Sequence, residues 1–179
     1  MVRNNFKNKF KGAIDILKIF NQNGYEAYFV GGCVRDYLLG EDFSDIDITT
    51  NALPDEVKKV FRKSIDTGIQ HGTVTILVNG DSYEVTTFRT EEDYTNHRSP
   101  EKVEFVSNLR EDLDRRDFTI NAMALDYNGK LFDYHNGDQD LNSKIIRTVN
   151  NPNERFYEDA LRMLRAFRFS SKLGFEIEN

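Results

Sequence analysis

Two carboxylates stand two positions apart in the first third of the chain, at Asp45 and Asp47. Residues i and i+2 of an extended strand share one face, so a strand over residues 43–50 would point both carboxylates the same way and bury the isoleucines beside them. Paired carboxylates repel each other unless a cation lies between them, and Mg²⁺ takes such ligands together with substrate phosphates. The pair predicts a magnesium site, with a solvated strand end as the alternative.

A glycine pair precedes these aspartates. Gly31 and Gly32 lie between a strand predicted over residues 25–30 and a short helix predicted over residues 33–39. A strand that breaks at glycine and leads into a helix presents backbone N–H groups to an anion. Arg35, one turn into the helix, would add a fixed charge for a phosphate. The order of these features predicts a triphosphate between the loop and the metal, whereas a glycine pair alone is usually a simple turn.

Further polar residues are candidates for the same site. Arg116 supplies phosphate donors, and Asp117 and Asn121 supply groups that hydrogen-bond a ribose hydroxyl. The alternative for this motif is a surface ion pair with Asn121 in a turn or cap. Glu84, on a strand predicted over residues 83–89, is a candidate third carboxylate near the metal, or else a solvent-facing strand residue.

The last helix is predicted over residues 154–171. Its apolar stripe is predicted to contain Phe156, Ala160, Leu161, Leu164 and Phe167. A polar ridge, with its members three positions apart, contains Asp159, Arg162, Arg165 and Arg168. A carboxylate that accepts from an exocyclic amino group, beside a donating guanidinium, matches the Watson–Crick edges of cytosine and adenine and rejects uracil and guanine. The ridge predicts selection of C and A, with an exposed salt-bridge ladder as the alternative.

The composition describes a folded globular chain of 179 residues, 39% hydrophobic and 30% charged, with a net charge of −6. This length suits one domain, or one domain with an appended helical segment. The negative charge argues against a general nucleic-acid coat protein. The single cysteine, Cys33, excludes an internal disulfide and a cysteine-built zinc site. No apolar run approaches bilayer length and no signal peptide begins the chain, so the expected location is the cytoplasm.

Hydrophobic periodicity predicts an α+β fold, a sheet with helices interspersed. Further helices are predicted over residues 5–23, 54–61 (capped by Asn51) and 109–115. Hairpins are predicted at Asn79-Gly80, with strands over 73–78 and 83–89, and at Asn128-Gly129, with strands over 122–127 and 130–132. Residues 90–108 are predicted to form a mobile loop that runs into a strand at 103–106, and residues 137–147 a connector. No catalytic role is predicted for His71, His97 or His135.

Four ordered motifs span nearly the whole chain. They are GGCVRD with DID, HGTVTI running into YEVTTFR, RRDFTINAMA, and EDALRMLRAFRF. With them the chain resembles the N-terminal part of class II tRNA nucleotidyltransferases, the CCA-adding enzymes, which belong to the polymerase-beta-like nucleotidyltransferase superfamily together with bacterial poly(A) polymerases. The resemblance implies a mixed five-stranded sheet flanked by helices in a catalytic head, residues 1–137, followed by the start of a helical neck, residues 138–179.

The resemblance also implies roles for individual residues. Those matching Asp45 and Asp47 hold the metals in the family, and those matching Gly32, Arg35 and Arg116 contact the nucleotide. The base-reading helix of the family contains the residues that match Asp159, Arg162, Arg165 and Arg168. Supporting candidates are Gly31, Glu84, Asp117 and Asn121.

The implied reaction is template-independent addition of C, C and A to the tRNA 3′ end from CTP and ATP. Two Mg²⁺ ions are expected to activate the RNA 3′-hydroxyl and neutralise the departing pyrophosphate, without a Ser, Cys or His nucleophile. Residues 90–108 have the length of the flexible loop with which CCA-adding members switch from C to A.

Two alternatives remain. A poly(A)-type or A-adding enzyme would use ATP only, and a truncated nucleotide-binding head would need a partner or the C-terminal half for chemistry. The body and tail that grip tRNA in the family are absent from this sequence. The oligomeric state is open, with a homo-oligomer or a C-terminal partner both compatible with the sequence.

Overall fold

A computed structural model describes residues 5–92 and 102–178 of the chain. Its main feature is a seven-stranded mixed sheet with helices packed against it. The predicted α+β class is confirmed, but the expected number of five strands is wrong. Within the described ranges, no helix combines the length and apolar character needed to cross a membrane.

The main sheet contains β1 (Ala27–Val30), β2 (Asp47–Thr50), β3 (Ser64–Gly68), β4 (Thr73–Val78), β5 (Asp81–Thr87), β8 (Met123–Leu125) and β9 (Leu131–Asp133). Two small sheets pair β6 (Arg89–Glu92) with β7 (Lys102–Phe105) and β10 (Ile145–Ile146) with β11 (Glu176–Ile177). The order in the main sheet is β3-β4-β5-β2-β1-β8-β9. Strands β2 and β5 run parallel and lie next to each other at its centre, so residues distant in sequence meet there. Strand β3 was not predicted, because it lies at the sheet edge and most of its residues are exposed.

The described helices are α1 (Phe6–Lys9), α2 (Ala13–Gln22), α3 (Gly32–Leu39), α4 (Pro54–Val60), α5 (Leu109–Asp114), α6 (Gly137–Ser143), α7 (Pro152–Glu158) and α8 (Leu161–Leu173). Residues Ile69–His71 and Thr119–Asn121 form single 3-10 turns. Both predicted hairpin turns are present, and Asn79 and Gly80 adopt the positive φ angles that a tight hairpin turn needs. The predicted connector over residues 137–147 is wrong, since it contains α6 and β10.

Three helix predictions need correction. The single helix predicted over residues 5–23 is interrupted at Gly12, whose φ of 90° is incompatible with a continuous helix. The helix predicted over residues 154–171 is interrupted at Asp159, which has extended backbone angles. Asn51 does not cap α4, because its side chain accepts the Glu26 N–H at 2.8 Å. The Glu56 carboxylate fills that capping role by accepting the Leu53 N–H at 2.7 Å.

The core on one face of the sheet is rich in aromatic rings. Phe10, between α1 and α2, stacks on Phe29 of β1 with ring centroids 4.4 Å apart, and Tyr37 of α3 meets Phe10 edge-on at 5.5 Å. These rings are buried and fix α3 against the first strand. A smaller cluster on the other face joins Phe88 to Leu109 and Leu113 of α5. The two clusters hold α3 and α5, which carry much of the candidate site.

The segment predicted as a mobile loop over residues 90–108 begins and ends in regular structure. Strands β6 and β7 pair in antiparallel register, from Arg89 opposite Phe105 to Glu92 opposite Lys102. Residues 93–101, and with them His97, lie outside the described residues. The predicted mobility of that stretch therefore stays a prediction.

Gly137, at the first turn of α6, allows the closest backbone approach among the described glycines. A Cβ atom at this position would lie 2.3 Å from the carbonyl oxygen of Thr119 and 3.0 Å from the Met123 side chain. Because that oxygen belongs to the backbone, relief requires movement of the 3-10 turn. We expect Gly137→Ala to lower the free energy of unfolding by about 1–3 kcal/mol, measured by urea denaturation. Gly68→Ala is the comparison, because Gly68 has an extended φ of −166° and a Cβ atom there would lie 3.4 Å from Thr73. Equal losses would contradict the steric explanation.

Candidate active site

Asp45 and Asp47 lie beside a cavity of about 330 Å³ at the start of β2. Asp47 is the first residue of β2, whereas Asp45 precedes the strand, so the prediction that both lie within one strand over residues 43–50 is wrong. The same cavity is lined by Ser82 and Glu84. Glu84 is the register partner of Asp47 across the parallel β2–β5 pair. The fold therefore brings the candidate third carboxylate to the predicted pair from a separate strand.

The electrostatic environment of this cavity disfavours the ionised form of Asp47. Burial raises the pKa of the Asp47 carboxyl, Arg116 opposes this effect, and Glu84 and Asp45 raise the pKa further. Carboxylate oxygens facing a shared cavity are the donor set that Mg²⁺ prefers, so these residues fit a divalent cation. Throughout residues 5–92 and 102–178, no three His, Cys, Asp or Glu side chains are close enough together to form a ready metal cluster.

Gly31 lies beside Asp47, between β1 and α3. Its φ of 73° and ψ of −133° belong to a backbone region that essentially only glycine adopts. A Cβ atom there would lie 3.4 Å from Nη1 of Arg116 and 3.6 Å from Oδ2 of Asp47. Backbone, guanidinium and carboxylate thus converge at one point, where α3 also begins. This convergence provides both donors for a phosphate and an acceptor for a metal.

Arg116 is held at that point by Asp112, a fully buried carboxylate on α5. Arg116 Nη2 donates to Asp112 at 3.1 Å, and Arg115 Nη2 donates to it at 2.9 Å. Burial would raise the pKa of Asp112, but the two guanidinium groups outweigh burial and lower it. Thr49 of β2 donates to the same carboxylate at 3.2 Å. Asp112 was not predicted as a site residue, although the spacing of three and four residues to its arginine partners was a visible signal.

Arg35 occupies a more enclosed position than the sequence suggested. Its guanidinium is buried and donates to Asp36 at 2.7 and 2.9 Å and to Oδ1 of Asn121 at 2.8 Å. These bonds direct the side chain toward the protein interior. Direct contact between Arg35 and a phosphate stays a prediction, and the observed bonds favour a supporting role for Arg35 behind the glycine loop.

Asp117 connects the head to α8. Oδ2 of Asp117 accepts a hydrogen bond from Nε of Arg165 at 2.7 Å, and Oδ1 accepts from the Asn121 side chain at 3.3 Å. The predicted nucleotide motif and one arginine of the predicted base-reading helix are therefore in direct contact. Their spacing in the sequence predicts a separate role for each, but does not predict that they meet.

The predicted polar ridge is not a single helical face. Asp159 lies between α7 and α8, where its Oδ1 accepts the Leu161 N–H at 2.9 Å and so begins α8. Aspartate favours such capping positions because its side chain competes for backbone N–H groups. Arg162 is buried and donates to Glu158 at 2.6 Å, whereas Arg168 is exposed. The placement of Asp159 within one continuous helix is therefore wrong, whereas Arg162, Arg165 and Arg168 all lie on α8. The base-reading role of these four residues stays a prediction.

The part of the predicted apolar stripe that lies on α8 is exposed to solvent. Leu161, Leu164 and Phe167 are exposed, with Leu164 and Phe167 retaining 65% and 66% of their accessible surface. The side of α8 that packs on the head contains Arg162 and Ala166, and Phe169 meets Phe118 there. The stripe is therefore mostly exposed along α8, whereas Phe156 of α7 packs against the main core.

Comparisons with known proteins agree with this geometry. Residues 27–147 match the family model described as the poly A polymerase head domain. The CCA-adding enzyme of Ligilactobacillus salivarius (strain UCC118) is 54% identical over 178 residues, which cover 99% of this chain and 44% of that protein. The chain thus spans less than half the length of this curated relative.

Two solved structures are similar in fold. The CCA-adding enzyme of Bacillus stearothermophilus in complex with CTP has a TM-score of 0.87 and 49% identity, over 95% of this chain and 41% of that chain. A tRNA nucleotidyltransferase complexed with a primer tRNA and an incoming ATP analog has a TM-score of 0.72 and 34% identity, over 92% of this chain and 46% of that chain. The chain therefore belongs to the poly A polymerase head domain family, and the resemblance to CCA-adding enzymes inferred from its four motifs is confirmed.

Proposed function

We propose that this chain carries the nucleotidyltransferase centre of a CCA-adding enzyme, which adds C, C and A to the tRNA 3′ end from CTP and ATP. Asp47 and Glu84 line one cavity, and Gly31 and Arg116 lie beside Asp47. This convergence is the observation that carries the proposal. Similarity to a CCA-adding enzyme in complex with CTP and to a tRNA nucleotidyltransferase with primer tRNA supports the choice of substrates.

In this mechanism Asp45 and Asp47 would hold two Mg²⁺ ions, with Glu84 as an added acceptor from β5. Bound Mg²⁺ would lower the pKa of the RNA 3′-hydroxyl and neutralise charge on the departing pyrophosphate. The backbone N–H groups after Gly31, at the start of α3, would face the triphosphate. Arg116, fixed by Asp112, would orient a phosphate or the ribose from the opposite side. Such chemistry rests on positioning and electrostatics and requires no nucleophilic side chain.

The choice of base is proposed to depend on Asp159 and Arg162, at the junction of α7 and α8. A carboxylate oxygen of Asp159 would accept from the exocyclic amino group of cytosine or adenine, and the guanidinium would donate to a ring acceptor. Uracil and guanine would place a carbonyl oxygen against that carboxylate. Equilibrium binding of all four nucleoside triphosphates, with Mg²⁺ and with EDTA, tests this proposal. The proposal requires metal-dependent binding of CTP and ATP in preference to UTP and GTP, and equal binding of all four nucleotides would contradict the proposal.

Replacing Asp159 by alanine is expected to relax this selection. The variant loses the acceptor that discriminates the amino group, so the preference for CTP over UTP should fall by about ten-fold or more, in line with about 1–3 kcal/mol for a base-edge contact. Single-nucleotide incorporation into a tRNA lacking its 3′ end measures the ratio. Glu154→Ala, an exposed acidic residue on α7, is the matched control, and unchanged selectivity in Asp159→Ala would show that Asp159 only begins α8.

A further inference from the structure

Phe169, on the side of α8 that faces the head, contacts two arginines from different parts of the chain. The guanidinium carbon of Arg35 lies 5.2 Å from the centre of its ring, and that of Arg165 lies 5.3 Å from the same point. The ring also meets Phe118 edge-on, with centroids 5.8 Å apart and an interplanar angle of 83°. Guanidinium groups within about 6 Å of an aromatic centroid are attracted by the negative face of the ring.

The same two arginines are joined by hydrogen bonds on their other side. Arg35 donates to Asn121 at 2.8 Å, Asn121 donates to Asp117 at 3.3 Å, and Arg165 donates to Asp117 at 2.7 Å. Together with the Phe169 ring, these bonds close a circuit of five side chains, which we call the Phe169 circuit: Arg35, Asn121, Asp117, Arg165 and Phe169. In sequence, its members span from α3 near the N-terminus to α8 near the C-terminus.

This circuit joins three segments with separate predicted tasks. Helix α3 begins at the glycine loop proposed to face the triphosphate, Asp117 follows Arg116 in the motif proposed to contact the nucleotide, and α8 follows the base-reading Asp159. We propose that Phe169 is a positioning residue that holds α8 in a fixed position relative to the phosphate-binding loop. It thereby keeps the base-reading residue Asp159 correctly placed relative to the site of transfer. This inference rests on the proposed function of the chain.

The aromatic ring, rather than apolar volume, is the property required. Leucine at position 169 would preserve apolar contact with Phe118 but offer no negative face to either guanidinium group. Arg165 is 47% exposed as a side chain, so water would compete for its guanidinium once the ring is removed. Of the two contacts of Arg165 in the circuit, only the hydrogen bond to Asp117 would then remain. The α7–α8 junction would sample a wider range of positions relative to a bound base.

The experiment compares incorporation of CTP with incorporation of UTP by the full chain and its variants. The ratio of the two kcat/KM values is the readout, because a partly unfolded sample loses both rates equally and leaves the ratio unchanged. The variants are Phe169→Leu, Phe169→Met as a second non-aromatic side chain, and Phe169→Tyr, which keeps an aromatic face. Phe167→Leu is the matched control, since it removes an exposed ring two positions away on the same helix.

We expect the ratio to fall by about three- to ten-fold in Phe169→Leu and Phe169→Met, the range that loss of cation–π contacts implies. It should stay within about two-fold of the wild type in Phe169→Tyr and Phe167→Leu. Arg165→Gln is also measured alone. The double variant Phe169→Leu with Arg165→Gln should lose less than the two single variants combined, because both changes break the same circuit.

An unchanged ratio in both non-aromatic variants would overturn the inference, as would an equal loss in Phe167→Leu or additive losses in the double variant. Failure of the proposed function is a different result. It appears in the wild-type chain, as absence of transfer with every nucleotide, before any variant is compared.

Discussion

Replacing Asp47 by asparagine should lower the rate of nucleotide transfer by about a thousand-fold or more, while the chain remains folded. The variant keeps the size of the side chain but removes the negative charge with which it would bind Mg²⁺ beside Asp45 and Glu84. Loss of a single group that stabilises developing charge typically costs two to three orders of magnitude. Steady-state incorporation of CTP into a tRNA lacking its 3′ end measures the effect. Asp55→Asn, at an exposed position on α4, is the control for a charge change outside the cavity.

The same substitution should stabilise the fold in metal-free buffer. The pKa of Asp47 is raised in the folded chain by burial and by its carboxylate neighbours. A carboxyl with a raised folded pKa gives up its proton more readily when unfolded, so the wild-type chain loses stability as pH rises above the unfolded value of about 3.9. Asparagine does not titrate and avoids that loss. Because the Asp47 side chain is only partly buried and stays in contact with water, screening keeps the gain small, at about 1–3 °C in Tm.

Three observations would contradict this explanation of Asp47. Transfer by Asp47→Asn at a rate near that of the wild type would remove Asp47 from the metal site. A fall in the Tm of Asp47→Asn at neutral pH would show that the carboxylate charge does not destabilise the cavity. A rise in Tm that persists at pH 3, where Asp47 is protonated in both the folded and the unfolded wild-type chain, would show the same.

Replacing Asp112 by alanine should lower the free energy of unfolding by about 3–5 kcal/mol. The change leaves Arg115 and Arg116 without their shared buried carboxylate, and removal of one partner from a buried ion pair typically has that effect. The Thr49 hydroxyl and the Arg89 N–H also lose an acceptor, at 3.2 and 3.3 Å respectively. Because Arg116 no longer has a fixed position beside Gly31, nucleotide binding should weaken as well.

Urea denaturation followed by circular dichroism measures the stability of this variant. Glu111→Ala is the matched control, since Glu111 is the preceding residue of α5 and is exposed. A loss below about 1 kcal/mol in Asp112→Ala would mean that the buried carboxylate contributes little. An equal loss in Glu111→Ala would attribute the effect to the helix rather than to the ion pairs.

Features set by local backbone chemistry were predictable from the sequence. Asn79-Gly80 forms a tight turn because few residues other than asparagine and glycine adopt positive φ angles in succession. Gly31 adopts angles that are restricted to glycine, so the interruption between β1 and α3 was predictable too. Asp45 and Asp47 reach the same cavity, although only Asp47 belongs to the strand.

Features that depend on distant partners were not predictable in the same way. Arg35 is buried because Asn121, 86 positions later, accepts from its guanidinium, and no local pattern contains that partner. The three-residue spacing of Asp159, Arg162 and Arg165 predicts a polar ridge, yet Arg162 is buried and Glu158 compensates its charge. Asp159 was placed inside a helix because the periodicity on either side is helical, whereas its side chain supplies the cap that separates α7 from α8.

The most direct test of the central claim is transfer itself. The full chain is incubated with Mg²⁺ and a tRNA lacking its 3′ end, first with each labelled nucleotide alone and then with CTP and ATP together. Products are resolved at single-nucleotide length. Two additions from CTP followed by one from ATP are expected, and tailing by ATP alone would favour an A-adding enzyme instead. Absence of any extended product, despite binding of CTP and ATP, would contradict the claim that this chain is catalytically competent.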